Sequence, residues 1–236
     1  MKFLIVIPTL NEKGNISIIY NRIFKIYKNA HILFIDDNSE DGSRKEIINL
    51  RKKNKKVNFI FRDKKLGIGS AHKLGILEGI TKKFRYILTM DCDGTHHPKY
   101  IDSMFRYIKS NDLILTNRFL NKNSIKGWEF KRVLITQTRY YLVRFLLGSK
   151  LDSSGGFRLY DFKKVNIKDI LRAKNNDYSF FIESTIILEK SGYKIFEIPI
   201  ILPKRVLGNS KMKLTDIFFG IISLLKYFIK RVFRKI

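Results

Sequence analysis

Cysteine, histidine and long apolar runs are scarce in this sequence, and each scarcity excludes a class of protein. The 236 residues contain one cysteine, Cys92, and four histidines. A single cysteine excludes a disulfide framework and fits a reducing cytoplasm. His96 and His97 lack the further His or Cys ligands that a zinc site needs. No apolar run approaches the ~20 residues that cross a bilayer, and the first stretch, MKFLIVIPTLNE, is too short for a signal peptide and is interpreted as a strand.

Acidic residues are few beside basic ones. The chain has 47 Lys and Arg against 21 Asp and Glu, which gives a formal charge of +26. A surplus of this size indicates a polyanionic partner, which could be nucleic acid, an anionic membrane surface or a phosphorylated substrate. A hydrophobic content of 44% is enough for a globular core in a chain of this length.

Apolar runs alternate with helical patterns over roughly the first half of the chain. The predicted strands are Phe3–Ile7, Ile32–Ile35, Val57–Phe61, Arg85–Met90 and Asp112–Thr116. This alternation predicts an α/β fold, with a mostly parallel sheet and helices on both faces. Ligands of such sheets bind at the carboxyl ends of the strands. The polar clusters all fall there, at Pro8–Glu12, Asp36–Asp41, Gly67–Ser70 and Asp91–His97.

The second half of the chain is more basic and aromatic. It predicts a long helix over Trp128–Leu147, a strand behind the glycine-rich DSSGG, a helix over Phe180–Ser191 and a strand over Tyr193–Ile198. Within the tail, Ile217–Leu225 is apolar but too short to span a bilayer, and cations follow it. We therefore divide the chain into a catalytic domain, residues 1–212, and a basic amphipathic helix, residues 213–236, that binds a membrane surface or a partner protein.

Asp91 and Asp93 end a buried run one residue apart and would repel each other unless a cation lay between them. Carboxylate oxygens are the ligands that Mg²⁺ and Mn²⁺ prefer. A nucleoside diphosphate would share this cation, with Glu12 and Asp37 placed to hydrogen-bond its ribose or base. For each acid the alternative is a solvated turn residue. A nucleic-acid-binding module leaves these acids unexplained, because they would repel a phosphate backbone.

Four cations follow predicted strands or lie near glycine, where an arginine fork can grip a phosphate. They are Arg118, Arg132, Arg205 and Lys211. Solvated surface cations are the alternative interpretation in so basic a chain. The glycine-rich LGIGSAHKLGI (66–76) resembles a phosphate-cradling loop, but it lacks the full dinucleotide spacing and the P-loop lysine, so turn chemistry is favoured.

Eight motifs in register resemble the inverting family 2 glycosyltransferases, and within them the dolichol-phosphate (polyprenol-phosphate) mannose synthases. They cover nearly the whole chain: VIPTLNE (6–12), FIDDNSEDGS (34–43), LGIGSAHKLGI (66–76), MDCDGTHHPKYI (90–101), TNRF (116–119), GWEFKR (127–132), SSGGFRLY (153–160) and RVLGNSK (205–211). The resemblance implies an A-type glycosyltransferase fold, a Rossmann-like sheet with the Asp-x-Asp motif at its centre.

The resemblance also implies a role for each matching residue. The nucleotide sugar would be bound by Pro8, Leu10, Glu12, Ile35, Asp37, Asp91, Cys92, Asp93, Arg118, Arg205 and Lys211. Mg²⁺ or Mn²⁺ would be held by Asp93, Thr95 and Asp91, and catalysis would depend on Asp93, Arg118 and Arg132, with Arg132 on the acceptor phosphate.

The chain departs from the family pattern at several of these positions. Leu10 replaces the usual Tyr, Cys92 replaces Ala, Thr95 is a poorer metal ligand than Gln, and TNR replaces Gly-Ser/Thr-Arg. None of these changes removes a charge that the chemistry needs, so we expect an active enzyme, with a donor-binding pseudoenzyme as an alternative. The His-His-Pro after the acids resembles the mannose synthases and favours GDP-mannose as the donor, whereas related glucose-transferring enzymes carry Asp-Pro-Pro.

The expected function is inverting transfer of mannose from GDP-mannose to a polyprenyl or dolichyl phosphate. Its alternatives are a UDP-glucose-like donor, or a glycan hydroxyl as acceptor. The hydroxyl acceptor requires a base, for which Glu183 is the candidate. The expected location is the cytoplasmic face of a membrane, reached through its anionic surface or through a membrane-anchoring subunit.

Overall fold

The computed structural model describes residues 2–125, 127–205, 207–208 and 214–233. Within them, seven strands form one sheet in the order β3-β2-β1-β4-β6-β5-β7. The strands are β1 Phe3–Thr9, β2 Ala30–Asp36, β3 Val57–Phe61, β4 Tyr86–Thr89, β5 Leu113–Asn117, β6 Arg158–Asp161 and β7 Ile195–Pro199. Only β6 runs against its neighbours, β4 and β5. The predicted α/β fold with a mostly parallel sheet is confirmed.

The helices cover both faces of this sheet and extend beyond it. They are α1 Asn15–Ile26, α2 Ser43–Lys53, α3 Ile68–Thr81, α4 Ile101–Tyr107, α5 Phe130–Leu142, α6 Ile167–Leu171, α7 Ser179–Lys190 and α8 Leu214–Val232. A π-helical turn, Val143–Leu147, continues α5. A 3₁₀ turn, Pro98–Tyr100, precedes α4, and His97 caps it by accepting the Lys99 N–H on Nδ1 at 3.1 Å. The short α6 was not predicted.

Three apolar clusters hold these layers together. One face of the sheet packs under α1, α2 and α4, with Ile5, Ile19 and Met104 fully buried. The other face packs under α3, α6 and α7. A third, smaller cluster lies away from the sheet and joins the π-helical turn to α7 and α8, with Ile186 and Leu224 buried in it. Along the described residues, none of the helices has the length and apolar character that crossing a bilayer would take.

The reversed β6 has a consequence for function. Parallel strands β1, β2, β3, β4, β5 and β7 end at one edge of the sheet, and an antiparallel strand begins at that same edge. The glycine-rich loop 152–157, which precedes β6, therefore lies beside the polar clusters that follow the parallel strands. The sequence predicted the strand but not its direction.

The glycines of LGIGSAHKLGI have a packing role. Only Leu66 and Gly67 form a loop, since α3 begins at Ile68. A Cβ on Gly75 would lie 2.2 Å from Val6 Cγ1 in β1. One turn further along α3, just beyond this segment, a Cβ on Gly79 would lie 2.6 Å from Ile87 Cδ1 in β4. The absence of side chains at these positions is what lets α3 approach the sheet.

Gly75→Ala should therefore destabilise the fold by about 1–3 kcal/mol, because the added methyl group cannot be accommodated without moving α3 or β1. Urea denaturation followed by circular dichroism measures the free energy of unfolding. Leu77→Ala, at an exposed position of the same helix, is the control and should change it by less than ~0.5 kcal/mol. Equal stability of Gly75→Ala and wild type would contradict the close packing.

Candidate active site

A cleft of about 210 Å³ opens at the carboxyl edge of the sheet. It is lined from the loops after β1, β2, β3, β4, β5 and β7, from the loop before β6, and from α5. This is the edge at which the sequence placed its polar clusters.

Asp91 and Asp93 follow β4 and both line the cleft. Asp93 Oδ1 accepts the Thr95 backbone N–H at 3.0 Å and the Thr95 hydroxyl at 2.6 Å. The Asp91 N–H donates to His96 Nδ1 at 2.9 Å, and the His96 ring stacks on Phe157. Burial raises the pKa of Asp91; His96 opposes this rise and Asp93 adds to it. The loop thus holds two carboxylates in one cleft, and the charge of Asp93 disfavours ionisation of Asp91.

Arg205, in the loop after β7, bridges two of the cleft's carboxylates. Its Nε lies 3.0 Å from Asp93 Oδ2, and its Nη1 lies 3.2 Å from Glu12 Oε1. Glu12 Oε2 accepts the Asn15 side-chain amide at 2.6 Å. Burial raises the pKa of Glu12, and Asn15 and Arg205 partly offset that rise. Burial acts to lower the pKa of Arg205, but Asp93 and Glu12 more than compensate and raise it.

Asp37 lines the cleft, but much of its hydrogen-bonding capacity is used by its own surroundings. Its Oδ1 accepts the Leu66 N–H at 2.7 Å and pairs with Arg62 at 2.8 Å, and its Oδ2 accepts the Gly67 N–H at 2.9 Å. Asp37 therefore shapes the turn that leads into α3. Its contact with a ribose or base stays a prediction.

Arg118 is positioned by a buried acid that the sequence did not single out. Its Nε and its backbone N–H both reach Asp152 Oδ2, at 2.7 and 3.1 Å. Asp152 also accepts the Ser154 hydroxyl at 2.9 Å, and its own N–H donates to Glu197 at 2.6 Å. Burial opposes ionisation of Asp152, but Arg118 and the Ser154 hydroxyl hold the pKa of its carboxyl below the ordinary value.

Helix α5 contributes two further arginines to the cleft. The Arg132 guanidinium lies over the Trp128 ring, 3.8 Å from its centroid. Arg139, seven residues along the helix, was not predicted, because the helical pattern alone does not distinguish an inward arginine from a solvated one. Its Nη2 donates to the Ser154 hydroxyl at 3.1 Å.

The remaining predicted residues divide between cleft and core. Pro8 and Leu10 line the cleft. Cys92 borders it, although its side chain is 2% exposed and belongs to the apolar core. Ile35 is fully buried in the core and is absent from the lining, so its position does not support a nucleotide contact. Lys211 lies outside the described residues.

The acids of the cleft fit a hard divalent cation. Mg²⁺ is commonly bound through one or two carboxylates plus substrate phosphates, and Asp91 and Asp93 offer two carboxylates beside open space. Among the described residues, no group of three His, Cys, Asp or Glu side chains forms a complete protein cage. The predicted third ligand, Thr95, donates its hydroxyl to Asp93.

The sequence matches the family model described as glycosyl transferase family 2 over residues 4–167, more than half of the chain. The protein belongs to glycosyl transferase family 2. This glycosyltransferase is 29% identical over 217 residues to the polyprenol monophosphomannose synthase of Mycolicibacterium smegmatis, covering 91% of this chain and 82% of that protein. It is 27% identical over 213 residues to the undecaprenyl-phosphate mannosyltransferase of Micrococcus luteus, covering 90% and 88%. The resemblance seen in the motifs is confirmed.

Solved structures confirm the fold of this glycosyltransferase. Glucosyl-3-phosphoglycerate synthase from Mycobacterium tuberculosis, in complex with Mn²⁺, UDP and phosphoglyceric acid, superposes with a TM-score of 0.70 at 16% identity, covering 96% of this chain and 78% of that one. Residues 1–349 of Staphylococcus aureus TarS give a TM-score of 0.59 at 14% identity, covering 98% and 80%. The A-type glycosyltransferase fold is thereby confirmed.

Asp152→Asn should destabilise this glycosyltransferase by about 1.5–3 kcal/mol at pH 7, because Arg118 loses a charged hydrogen-bond acceptor. Since the folded pKa of Asp152 is lowered, wild type holds this advantage above the ordinary carboxyl pKa of ~3.9 and loses it as pH falls through the folded pKa. Urea unfolding at stepwise pH values from 7 downward measures the difference.

The control for Asp152→Asn is Asp63→Asn at an exposed acid. A difference between Asp152→Asn and wild type that stays constant with pH would show that the substitution acts through packing rather than charge.

Proposed function

We propose that this glycosyltransferase transfers mannose from GDP-mannose to the phosphate of a polyprenyl phosphate, of which dolichyl phosphate is one form. The transfer inverts the anomeric centre and gives a β-linked polyprenyl-phosphate mannose. The observation that carries the proposal is the charge of the cleft: the paired acids Asp91 and Asp93 lie in one space with the guanidinium groups of Arg118, Arg132 and Arg205. The names of the two curated relatives, both mannose-transferring enzymes of polyprenol phosphates, support it.

The chemistry of a phosphate acceptor suits this cleft. A phosphate oxygen is already anionic at neutral pH, so it attacks the anomeric carbon without giving up a proton. As the new carbon–oxygen bond forms, the bond from that carbon to the donor diphosphate breaks, and its electron pair leaves with the diphosphate. The protein then has to align two anions and stabilise charge, which Arg118, Arg132 and Arg205 are suited to do.

Asp91 and Asp93 would hold Mg²⁺ or Mn²⁺. A bound cation supplies charge neutralisation for the leaving diphosphate. Arg205 contacts Asp93 and Glu12 in this structure, and a cation on Asp93 would free its guanidinium for the donor phosphates. A fold relative, glucosyl-3-phosphoglycerate synthase, has been solved with Mn²⁺ and UDP, which supports this part of the proposal.

A glycan hydroxyl as acceptor receives less support, because it needs a base. Glu183, the candidate, is 2% exposed and does not line the cleft. Its two oxygens accept the Lys174 and Asn175 backbone N–H groups, each at 2.8 Å, and the Asn175 side-chain amide at 2.6 Å. These contacts give Glu183 a structural role in the loop before α7.

A lipid acceptor requires contact with a membrane, and two helices offer a surface for it. Phe130 at the start of α5 is 79% exposed, and Phe145 in the π-helical turn is 83% exposed. Along α8, the side chains of Leu225 and Ile229 are also exposed, beside the exposed Lys226. Apolar side chains with nearby cations bind anionic leaflets, so we propose that α8, which lies within the predicted tail segment 213–236, and α5 together rest on the membrane.

The proposed reaction is tested by incubating the protein with radiolabelled GDP-mannose or UDP-glucose, a short polyprenyl phosphate, and Mg²⁺ or Mn²⁺. We expect label from GDP-mannose to enter the organic phase, and NMR of the product to show a β linkage. Asp93→Ala should reduce the rate by at least ~100-fold, because the leaving diphosphate loses its charge stabilisation.

The exposed Asp63→Asn is the matched control for Asp93→Ala and should retain full activity. Label from UDP-glucose alone would overturn the donor but keep the reaction type. An α-linked product would overturn inversion, and bound nucleotide without any lipid product would favour another acceptor or a pseudoenzyme.

Membrane contact is tested by sedimentation with vesicles that contain anionic lipid. Phe145→Ser should weaken binding by about 10- to 150-fold, since burying a phenylalanine contributes about 1.5–3 kcal/mol. Ile48→Ser, at an exposed apolar position of α2, is the control. Equal losses for both variants, or none for Phe145→Ser, would contradict the proposed surface.

A further inference from the structure

Arg139 lies where the cleft meets a second cavity. The second cavity is an apolar groove of about 310 Å³ between α5, α7 and α8, with Leu134, Leu142, Ile182 and Leu224 among its lining residues. Arg139 lines both the groove and the cleft. The polar site and the apolar groove therefore adjoin at a guanidinium group.

The charge of Arg139 is poorly compensated by the protein. Among the described residues, no carboxylate lies within ion-pair distance of it, and its hydrogen bond goes to the neutral Ser154 hydroxyl. The acid whose charge acts on Arg139, Asp152, already bonds Arg118. Burial lowers the pKa of Arg139 to about 10, and Arg118 adds to the effect. Arg139 thus stays charged at neutral pH, in a setting that favours binding of an anion.

The groove indicates what kind of anion this is. A donor diphosphate belongs beside Asp91, Asp93 and Arg205, whereas Arg139 borders a space lined mainly by aliphatic side chains. The ligand that matches both neighbours of Arg139 is a phosphate carrying a long apolar substituent. Arg132 lies seven residues, or about 10 Å, earlier on the same helix, so two arginines of α5 face the path between donor and groove.

We propose that Arg139 binds the phosphate of the lipid acceptor and that the first isoprenoid units of the lipid lie in the groove between α5, α7 and α8. This inference rests on the proposed function and names the contact that selects an anionic lipid. The planar guanidinium can donate two parallel hydrogen bonds to phosphate oxygens.

Binding tests this proposal without requiring turnover. Trp128 is the single tryptophan of the chain and lines the cleft, so its fluorescence reports on ligands there. A short isoprenyl phosphate and the corresponding neutral alcohol are titrated separately. Arg139→Gln should weaken binding of the phosphate about 10- to 100-fold, the value of one charged hydrogen-bonded contact, and should leave binding of the alcohol unchanged.

Two further variants separate charge from structure. Arg139→Lys keeps the charge and should lose less affinity than Arg139→Gln. Arg144→Gln is the matched control. Arg144 is exposed, and among the described groups its Nη1 bonds only the Tyr140 hydroxyl. This variant should bind both ligands like wild type. In the transfer assay, Arg139→Gln should raise KM for polyprenyl phosphate by a similar factor and leave KM for GDP-mannose unchanged.

Unchanged phosphate affinity in Arg139→Gln would overturn the proposal, as would equal losses for phosphate and alcohol, which would show a collapsed groove. A rise in KM for the donor alone would assign Arg139 to the nucleotide sugar and also overturn it. If the wild-type protein binds the isoprenyl phosphate through Arg139 but transfers no sugar, the proposed reaction is refuted and the proposed binding site still stands.

Discussion

Charge compensation at the carboxyl edge of the sheet is the constraint on which this site depends. Carboxylates and guanidinium groups that are largely withdrawn from water are costly unless each has a partner. Asp93 and Glu12 share Arg205, Asp152 holds Arg118, and Asp37 holds Arg62. These pairs connect loops that follow or precede different strands, so the geometry of the cleft is tied to the order of the strands in the sheet.

A charged ligand of the cleft meets groups that already form ion pairs with one another. Arg205 pairs with Asp93 and Glu12 across the cleft, so a ligand that competes for its guanidinium or for either carboxylate disturbs both contacts. Arg118 differs, because Asp152 holds it from beneath through both Nε and the backbone N–H. One arginine is thus able to change partners, while the other is fixed before any ligand arrives.

The parts of this structure that sequence predicts are those set by local pattern. The strand Arg85–Met90, observed as Tyr86–Thr89, and the acids after it were predicted because hydrophobicity and polarity change sharply there. The sheet edge followed from the alternation of strands and helices. The direction of β6 was not predictable, since pairing depends on residues far apart in the chain. Arg139 and Asp152 were missed for a similar reason: their partners, Ser154 and Arg118, are 15 and 34 positions away.

Local rules also gave a partly mistaken interpretation of the glycine-rich segment. Gly67 does form a turn, but Gly75 and Gly79 lie inside α3, where they replace side chains that would collide with β1 and β4. Glycine in a helix costs about 0.5–1 kcal/mol relative to alanine, and here the closer packing of helix on sheet offsets that cost. Only the sheet opposite reveals why the glycines are there.

The buried Cys92 has a practical consequence for chemical labelling. Burial raises the pKa of its thiol well above the ordinary value, and the neighbouring carboxylates add to the rise. Since the thiolate is the form that reacts with alkylating reagents and oxidants, we expect Cys92 of the folded protein to react slowly with maleimides. The chain has no second cysteine, so a cysteine introduced on the surface would carry a fluorophore or spin label at one defined position, with the native residue left in place.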